Sequence, residues 1–149
     1  MVDLPQRKRH HLPRECYQGN DAFFLTICSA GKEPVLTNPV VLDLLSSTLR
    51  GQTAERGGPV HAYVIMPDHV HILLSGVLDV IEWVRWFKAG VSLRVGKKGF
   101  HAPLWQKSFY DEGIRKPEKV QEVLRYMSEN PVEAGLVEKP WDWAHKYGC

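Results

Sequence analysis

Two histidines one residue apart, His69 and His71, lie in the stretch HAYVIMPDHVHILLS at positions 61–75. In an extended chain residues i and i+2 leave the same face, so the two imidazoles stand together about 6–7 Å apart. Such a pair offers two borderline-soft nitrogen ligands on one rigid element. Far downstream, Tyr126 and Asn130 are spaced i and i+4, which stacks them on one side of a helix. At about 100° per residue, Tyr126 falls roughly 110° from the centre of the apolar stripe Val120, Val123, Leu124 and Met127, with Asn130 between. A phenol and a carboxamide on that flank reach the histidines if the helix packs beside them. Asn130 would add an oxygen, and an N,N,O set suits a divalent ion that keeps positions open for substrate oxygens.

Each part also has a plainer reading. Paired histidines occur on strand surfaces without a task, tyrosines border cores, and asparagine before proline ends helices. Against the first of these, Val70, Ile72 and Leu74 claim the opposite strand face, which leaves both imidazoles to whatever covers the sheet. Asp68, Asp111 and Glu112 are acids close to the pair that either support it or shape turns.

The elements that must position these groups follow from pattern. Ala22–Cys28, AFFLTIC, is an apolar, β-branched run and predicts a first strand. Asn38-Pro39 opens a helix whose stripe is Val41, Leu42, Leu44, Leu45 and Leu49 and which ends near Arg50-Gly51. A loop over 52–59 precedes strands at 60–66 and 69–74, joined as a hairpin by Pro67-Asp68. Asp79 caps a second helix with Glu82 as the reciprocal residue of a capping box. Its buried side is Val80, Ile81, Val84, Phe87 and Val91. Residues 104–110, LWQKSFY, predict a fourth strand. A third helix runs over 117–129, stopped by Asn130-Pro131. The order strand, helix, strand, strand, helix, strand predicts an α+β, ferredoxin-like split βαβ fold: a four-stranded antiparallel sheet, two helices on one face, and an additional C-terminal helix carrying the tyrosine.

The chain of 149 residues is expected to form one domain over 1–149, with 1–20 an irregular basic arm and 132–149 a tail packed back through Trp141, Trp143 and Tyr147. No apolar run approaches the roughly 20 residues that span a bilayer, and the first residues, MVDLPQRKRHH, lack the apolar core of a signal peptide. The expectation is a cytoplasmic protein with no membrane partner. Three scattered cysteines, Cys16, Cys28 and Cys149, agree with free thiols in a reducing compartment. A net charge of +2 permits nucleic-acid binding without arguing for it. The cations are nevertheless clustered: Arg7, Lys8 and Arg9 at the start, then Arg85, Lys88, Arg94, Lys97 and Lys98, with Lys107 beyond. Trp83, Trp86, Trp105, Phe109 and Tyr110 interleave with them, a composition compatible with phosphates and stacked bases, or with a solvated helix face over core tryptophans.

Taken together, PDHVHILL, LWQKSFYDEGIR and YMSENPVEAGLV resemble the IS200-like single-tyrosine transposases, and within them the repeat-associated branch. The resemblance implies a nuclease domain with a histidine–hydrophobic–histidine pair. His69, His71 and Asn130 would hold Mg²⁺ or Mn²⁺, and Tyr126 would be the nucleophile. The implied activity is cleavage of single-stranded DNA beside hairpins through a 5′-phosphotyrosine, followed by rejoining, with no nucleotide cofactor and DNA bound in the nucleoid. The implied hairpin contacts are Arg7, Lys8, Arg9, Arg85, Lys88, Arg94, Lys97, Lys98 and Lys107. Many members carry asparagine where this chain has Asp68, which changes the charge beside the first histidine. The family includes dimers, so a homodimer with Tyr126 acting in cis or in trans is among the implied assemblies. A non-catalytic nucleic-acid-binding domain of the same fold, and a metal hydrolase for small phosphodiesters, are the competing readings.

Overall fold

The computed structural model describes residues 22–149; the basic arm with Arg7, Lys8 and Arg9 lies outside the described residues. Strand β1 (Ala22–Cys28) is followed by helix α1 (Pro39–Arg50), strands β2 (Val60–Ile65) and β3 (His69–Ser75), helix α2 (Val80–Lys97), strand β4 (Tyr110–Ile114), helix α3 (Pro117–Glu133) and a short strand β5 (Lys146–Tyr147). The sheet is antiparallel in the order β4-β1-β3-β2-β5. Among the described residues no helix is long and apolar enough to cross a membrane.

Strand alternation divides the apolar residues between two cores. Phe23, Leu25 and Ile27 of β1, Tyr63 and Ile65 of β2, and Val70, Ile72 and Leu74 of β3 meet α1 and α2 on one face. The helices answer with complementary stripes, Val41, Leu44, Leu45 and Leu49 on α1, and Val80, Val84, Phe87, Val91 and Val95 on α2. Asn38 accepts from the Val40 N–H and Asp79 from the Glu82 N–H, so both helix starts have the expected caps. On the other face Phe24, Ala62, Val64, Met66, Leu73 and Ile114 pack against Val123 and Met127 of α3. The sheet is thus covered on both sides.

Four expectations change. The sheet has five strands, because β5 pairs with β2 and Tyr147 stacks on Tyr63 with ring centroids 5.9 Å apart. Gly148, at φ +74°, makes that approach possible, since a Cβ there would fall 2.3 Å from the His61 carbonyl oxygen. Of the tail aromatics, Trp143 donates its indole N–H to the Ile65 carbonyl at 3.1 Å, whereas Trp141 is 73% exposed.

The fourth strand is Tyr110–Ile114 rather than 104–110. Leu104 and Phe109 are buried, but they fill the α2-side core from an extended segment outside the strands, which bridges to the end of β1 through Trp105 and Ser29. Their apolar character serves packing, not a ladder. Lys88 secures this segment: its Nζ donates to the carbonyls of Gln106 and Ser108 at 2.6 and 3.3 Å.

Helix α3 runs through Asn130-Pro131 to Glu133. Proline lacks the N–H that would bond the Met127 carbonyl, but so near the helix end the loss is a single bond. Pro131 is buried, and the helix closes at Gly135 in the left-handed region. This extra turn keeps Asn130 helical.

Phe87→Ala is expected to cost about 3–5 kcal/mol in urea unfolding. Lys88→Met should cost about 1–3 kcal/mol, by leaving partly buried carbonyls without a donor. Arg85→Ala, which removes only an exposed ion pair to Glu82, should stay within about 0.5 kcal/mol.

Candidate metal and tyrosine centre

The β1–β3 register sets Thr26 opposite His71 and Cys28 opposite His69, on the face that α3 covers. The tight turn into β3 is fixed from both sides. Met66 N–H donates to the His69 carbonyl at 2.8 Å, and Ser29 N–H donates to the Asp68 carbonyl at 3.0 Å. Asp68 is thereby held against the first histidine, whose Nδ1 lies 2.7 Å from Asp68 Oδ1. This hydrogen bond holds the Asp68 carboxyl below its ordinary pKa, against the opposing effect of burial. Asp68 is therefore a carboxylate that can only accept, and the His69 proton sits on Nδ1.

The consequence appears on the other ring nitrogen. His69 Nε2 lies 3.2 Å from Asn130 Oδ1. With the proton on Nδ1, both of these atoms are acceptors. A cation, either a second proton or a metal ion, fits between them; with the amide turned over, its N–H₂ group donates to Nε2 instead.

His71 is 2% exposed. Its pKa is well below the usual histidine value, first because burial disfavours charge and then because His69 is close. The ring is neutral at neutral pH. Its Nδ1 lies 3.0 Å from Thr26 Oγ1, while its Nε2 is buried without a hydrogen-bond partner among the described residues. Asn130 opposes the lowering of the His71 pKa through a hydrogen bond, which places its amide within reach of both rings. Two imidazole nitrogens and one amide oxygen thus converge on one spot. No group of three or more His, Cys, Asp or Glu side chains among the described residues is arranged to hold a metal. The His69–His71–Asn130 set contains no anionic ligand. It fits a divalent ion that takes nitrogen and oxygen donors and keeps its charge for a substrate oxyanion.

Tyr126 completes the cluster. Its ring meets His71 edge-on at 5.5 Å between centroids, and Phe24 packs against both rings, at 5.0 Å from His71 and 6.0 Å from Tyr126. The two imidazoles are 4.6 Å apart. Burial, and secondarily the charge of Glu133, raise the Tyr126 pKa above its ordinary value, so the phenol keeps its proton at neutral pH. Thr26 and Phe24 were absent from the candidates read from sequence. Their only signal was that Thr26 is the one hydroxyl in AFFLTIC.

The basic candidates lie elsewhere. Arg85, Lys88, Arg94 and Lys97 are on α2, Lys98 caps it, and Lys107 follows, all on the sheet face opposite the imidazoles. Arg85, Lys88 and Lys107 border a groove of about 480 Å³ floored by Ile81, Val84 and Phe109. Lys88 is bound to carbonyls, and Arg94 donates to Thr48 Oγ1 and Ser47 Oγ. Lys97, Lys98 and Lys107 are exposed.

Comparisons with known proteins bear on the fold and the family. Residues 22–130 match the family described as "Transposase IS200 like". The chain is 23% identical to an uncharacterized protein of Haemophilus influenzae over 87% of this chain and 90% of that one. It is 27% identical to the REP-associated tyrosine transposase of Escherichia coli K12 over 60% of this chain, and the match spans 53% of that relative. Among solved structures, a REP-associated tyrosine transposase bound to a REP hairpin superposes with a TM-score of 0.70 at 20% identity, covering 95% of this chain and 82% of that one. A putative transposase from Deinococcus radiodurans gives 0.52 at 19% identity, over 84% and 97%. The fold is therefore shared with tyrosine transposases, and the family match embraces both histidines, the tyrosine and the asparagine: this chain belongs to the IS200-like transposase family.

Proposed function

We propose that the chain is a metal-dependent endonuclease and strand transferase for single-stranded DNA, cutting beside hairpins through a 5′-phosphotyrosine on Tyr126. The observation that carries this reading is that one helix, α3, delivers both a tyrosine beside His71 and an acceptor oxygen beside His69. A related fold bound to a REP hairpin supports hairpin DNA as the substrate class.

The chemistry follows from what each side chain can do. His69, His71 and Asn130 would hold Mg²⁺ or Mn²⁺, which supplies Lewis-acid polarisation of the scissile phosphate. Tyr126 Oη forms the new bond to phosphorus, the bond from phosphorus to the 3′-oxygen breaks, and that oxygen leaves as a 3′-hydroxyl. The phenol gives up its proton as it attacks and the departing 3′-oxygen takes one up, so the exchange is balanced in protons. Because burial keeps that proton on Tyr126 at rest, the side chain is a poor nucleophile until substrate and ion are in place. Attack by a 3′-hydroxyl on the phosphotyrosine reverses the exchange and rejoins DNA, so the phosphodiester energy is conserved and no nucleotide is consumed. Phe24 keeps the tyrosine ring beside His71 throughout. That Tyr126 sits beside His71 of its own chain supports action in cis, within a monomer or in each half of a homodimer. The exposed Lys97, Lys98, Lys107 and Arg85 are the α2-face side chains available to phosphates, with the arm carrying Arg7, Lys8 and Arg9 as a further contact; Lys88 and Arg94 are engaged within the fold. The reading places the protein in the cytoplasm, on nucleoid DNA.

The test is incubation of labelled, hairpin-bearing single strands with Mn²⁺ and denaturing electrophoresis of the products. The wild type should yield a covalent adduct and a free 3′-hydroxyl. Tyr126→Phe should lower adduct formation by at least about a thousandfold while hairpin affinity stays within about threefold. Metal-dependent nicking that persists in this variant would remove Tyr126 from the role.

A further inference from the structure

We infer that Thr26 is the positioning residue that holds His71 as its Nδ1–H tautomer, leaving Nε2 as a bare acceptor. A neutral imidazole has one N–H, and in a site closed to water that N–H must find an acceptor. His71 is 2% exposed; its Nδ1 lies 3.0 Å from Thr26 Oγ1, whereas among the described residues Nε2 makes no well-formed hydrogen bond and has the Asn130 amide near it. Placing the proton on Nε2 instead would turn the Thr26 bond round, the hydroxyl donating to Nδ1, and would leave the buried Nε2–H only the Asn130 amide to meet. The Leu25 carbonyl also hydrogen-bonds the His71 ring in its protonated form, adding a second acceptor from the same strand.

The hold is geometrically firm. Thr26 and His71 are direct cross-strand partners between the two central strands, where paired side chains stand nearest. Threonine is stiff at χ1, so its hydroxyl is not free to swing away. Phe24, two residues earlier on the same strand face, packs on the His71 ring and restricts its tilt. Strand β1 therefore grips the ring through both an apolar contact and a polar one.

The two histidines reach the same tautomer through unlike partners. His69 donates to the Asp68 carboxylate, and His71 donates to a neutral hydroxyl. A carboxylate raises the basicity of the opposite nitrogen more than a hydroxyl does. The significance of this arrangement rests on the reading of His69, His71 and Asn130 as a cation site; the tautomer itself does not.

Long-range ¹H–¹⁵N spectra of ¹⁵N-histidine-labelled, metal-free protein report which His71 nitrogen carries the proton. The wild type is expected to show Nδ1–H. Thr26→Val, which keeps the side-chain shape, should move His71 toward Nε2–H or a mixture, and Thr26→Ser should restore Nδ1–H. In calorimetric Mn²⁺ titrations, Thr26→Val should bind about 10–100-fold more weakly and Thr26→Ser within about threefold of wild type. Nε2–H in the wild type, or a Thr26→Val protein with unchanged tautomer and Mn²⁺ affinity, would overturn the inference. Should Thr26→Val fail to fold, the wild-type and Thr26→Ser spectra still decide it. A wild type with the expected tautomer that binds no Mn²⁺ contradicts the cation-site reading while supporting the grip of Thr26 on the ring.

Discussion

A β-strand has only two faces, and β3 gives them to opposite tasks. Val70, Ile72 and Leu74 seal the core under α1 and α2, while His69 and His71 face α3. A register slip of one residue would bury the imidazoles among leucines and valines and turn the aliphatic side chains toward α3. The hydrophobic requirement of one face thus enforces the chemistry of the other. Pairing of β3 with both β1 and β2 makes such a slip costly along the whole strand.

The site built on that constraint is unusual in its polarity. Each imidazole proton is directed away from the cluster, to Asp68 or Thr26, and the atoms turned inward accept without donating. Three acceptor atoms turned toward one spot make a good seat for a cation. In the proposed function, neutral ligands would leave the ion's charge for the phosphate rather than cancel it with carboxylates. Asp68 would act there indirectly, through its hydrogen bond to the His69 ring. Asparagine at the same position could also accept from His69, but with less electrostatic pull.

Much of this arrangement was legible in the sequence, because period-two alternation and the i, i+4 spacing are rigid rules. The His69–His71 pair, the Tyr126–Asn130 pair, both helix caps and the split βαβ order all follow from local pattern. What was not legible depended on long-range fit. Thr26 becomes notable only once β1 and β3 are in register, which no local rule supplies. Leu104 and Phe109 carry strand-like apolarity, yet they pack from an extended segment because Lys88 and the Ser29–Trp105 bridge hold it beside α2 rather than in the ladder. Asn130-Pro131 reads as a stop, but α3 tolerates the missing bond one turn from its end and keeps Asn130 aimed at His69. The clustered cations read as one basic surface, whereas Lys88 and Arg94 are committed to contacts within the fold. Trp141 looked like a packing group, and it is exposed.

The central claim is that His69 Nε2, His71 Nε2 and Asn130 Oδ1 together form a cation site beside Tyr126. A crystal soaked in Mn²⁺, with diffraction recorded at the manganese edge, tests it most directly. The account predicts one anomalous peak within coordination distance of all three atoms. A peak only at surface carboxylates, or none at these three residues while hairpin DNA is bound, would contradict it.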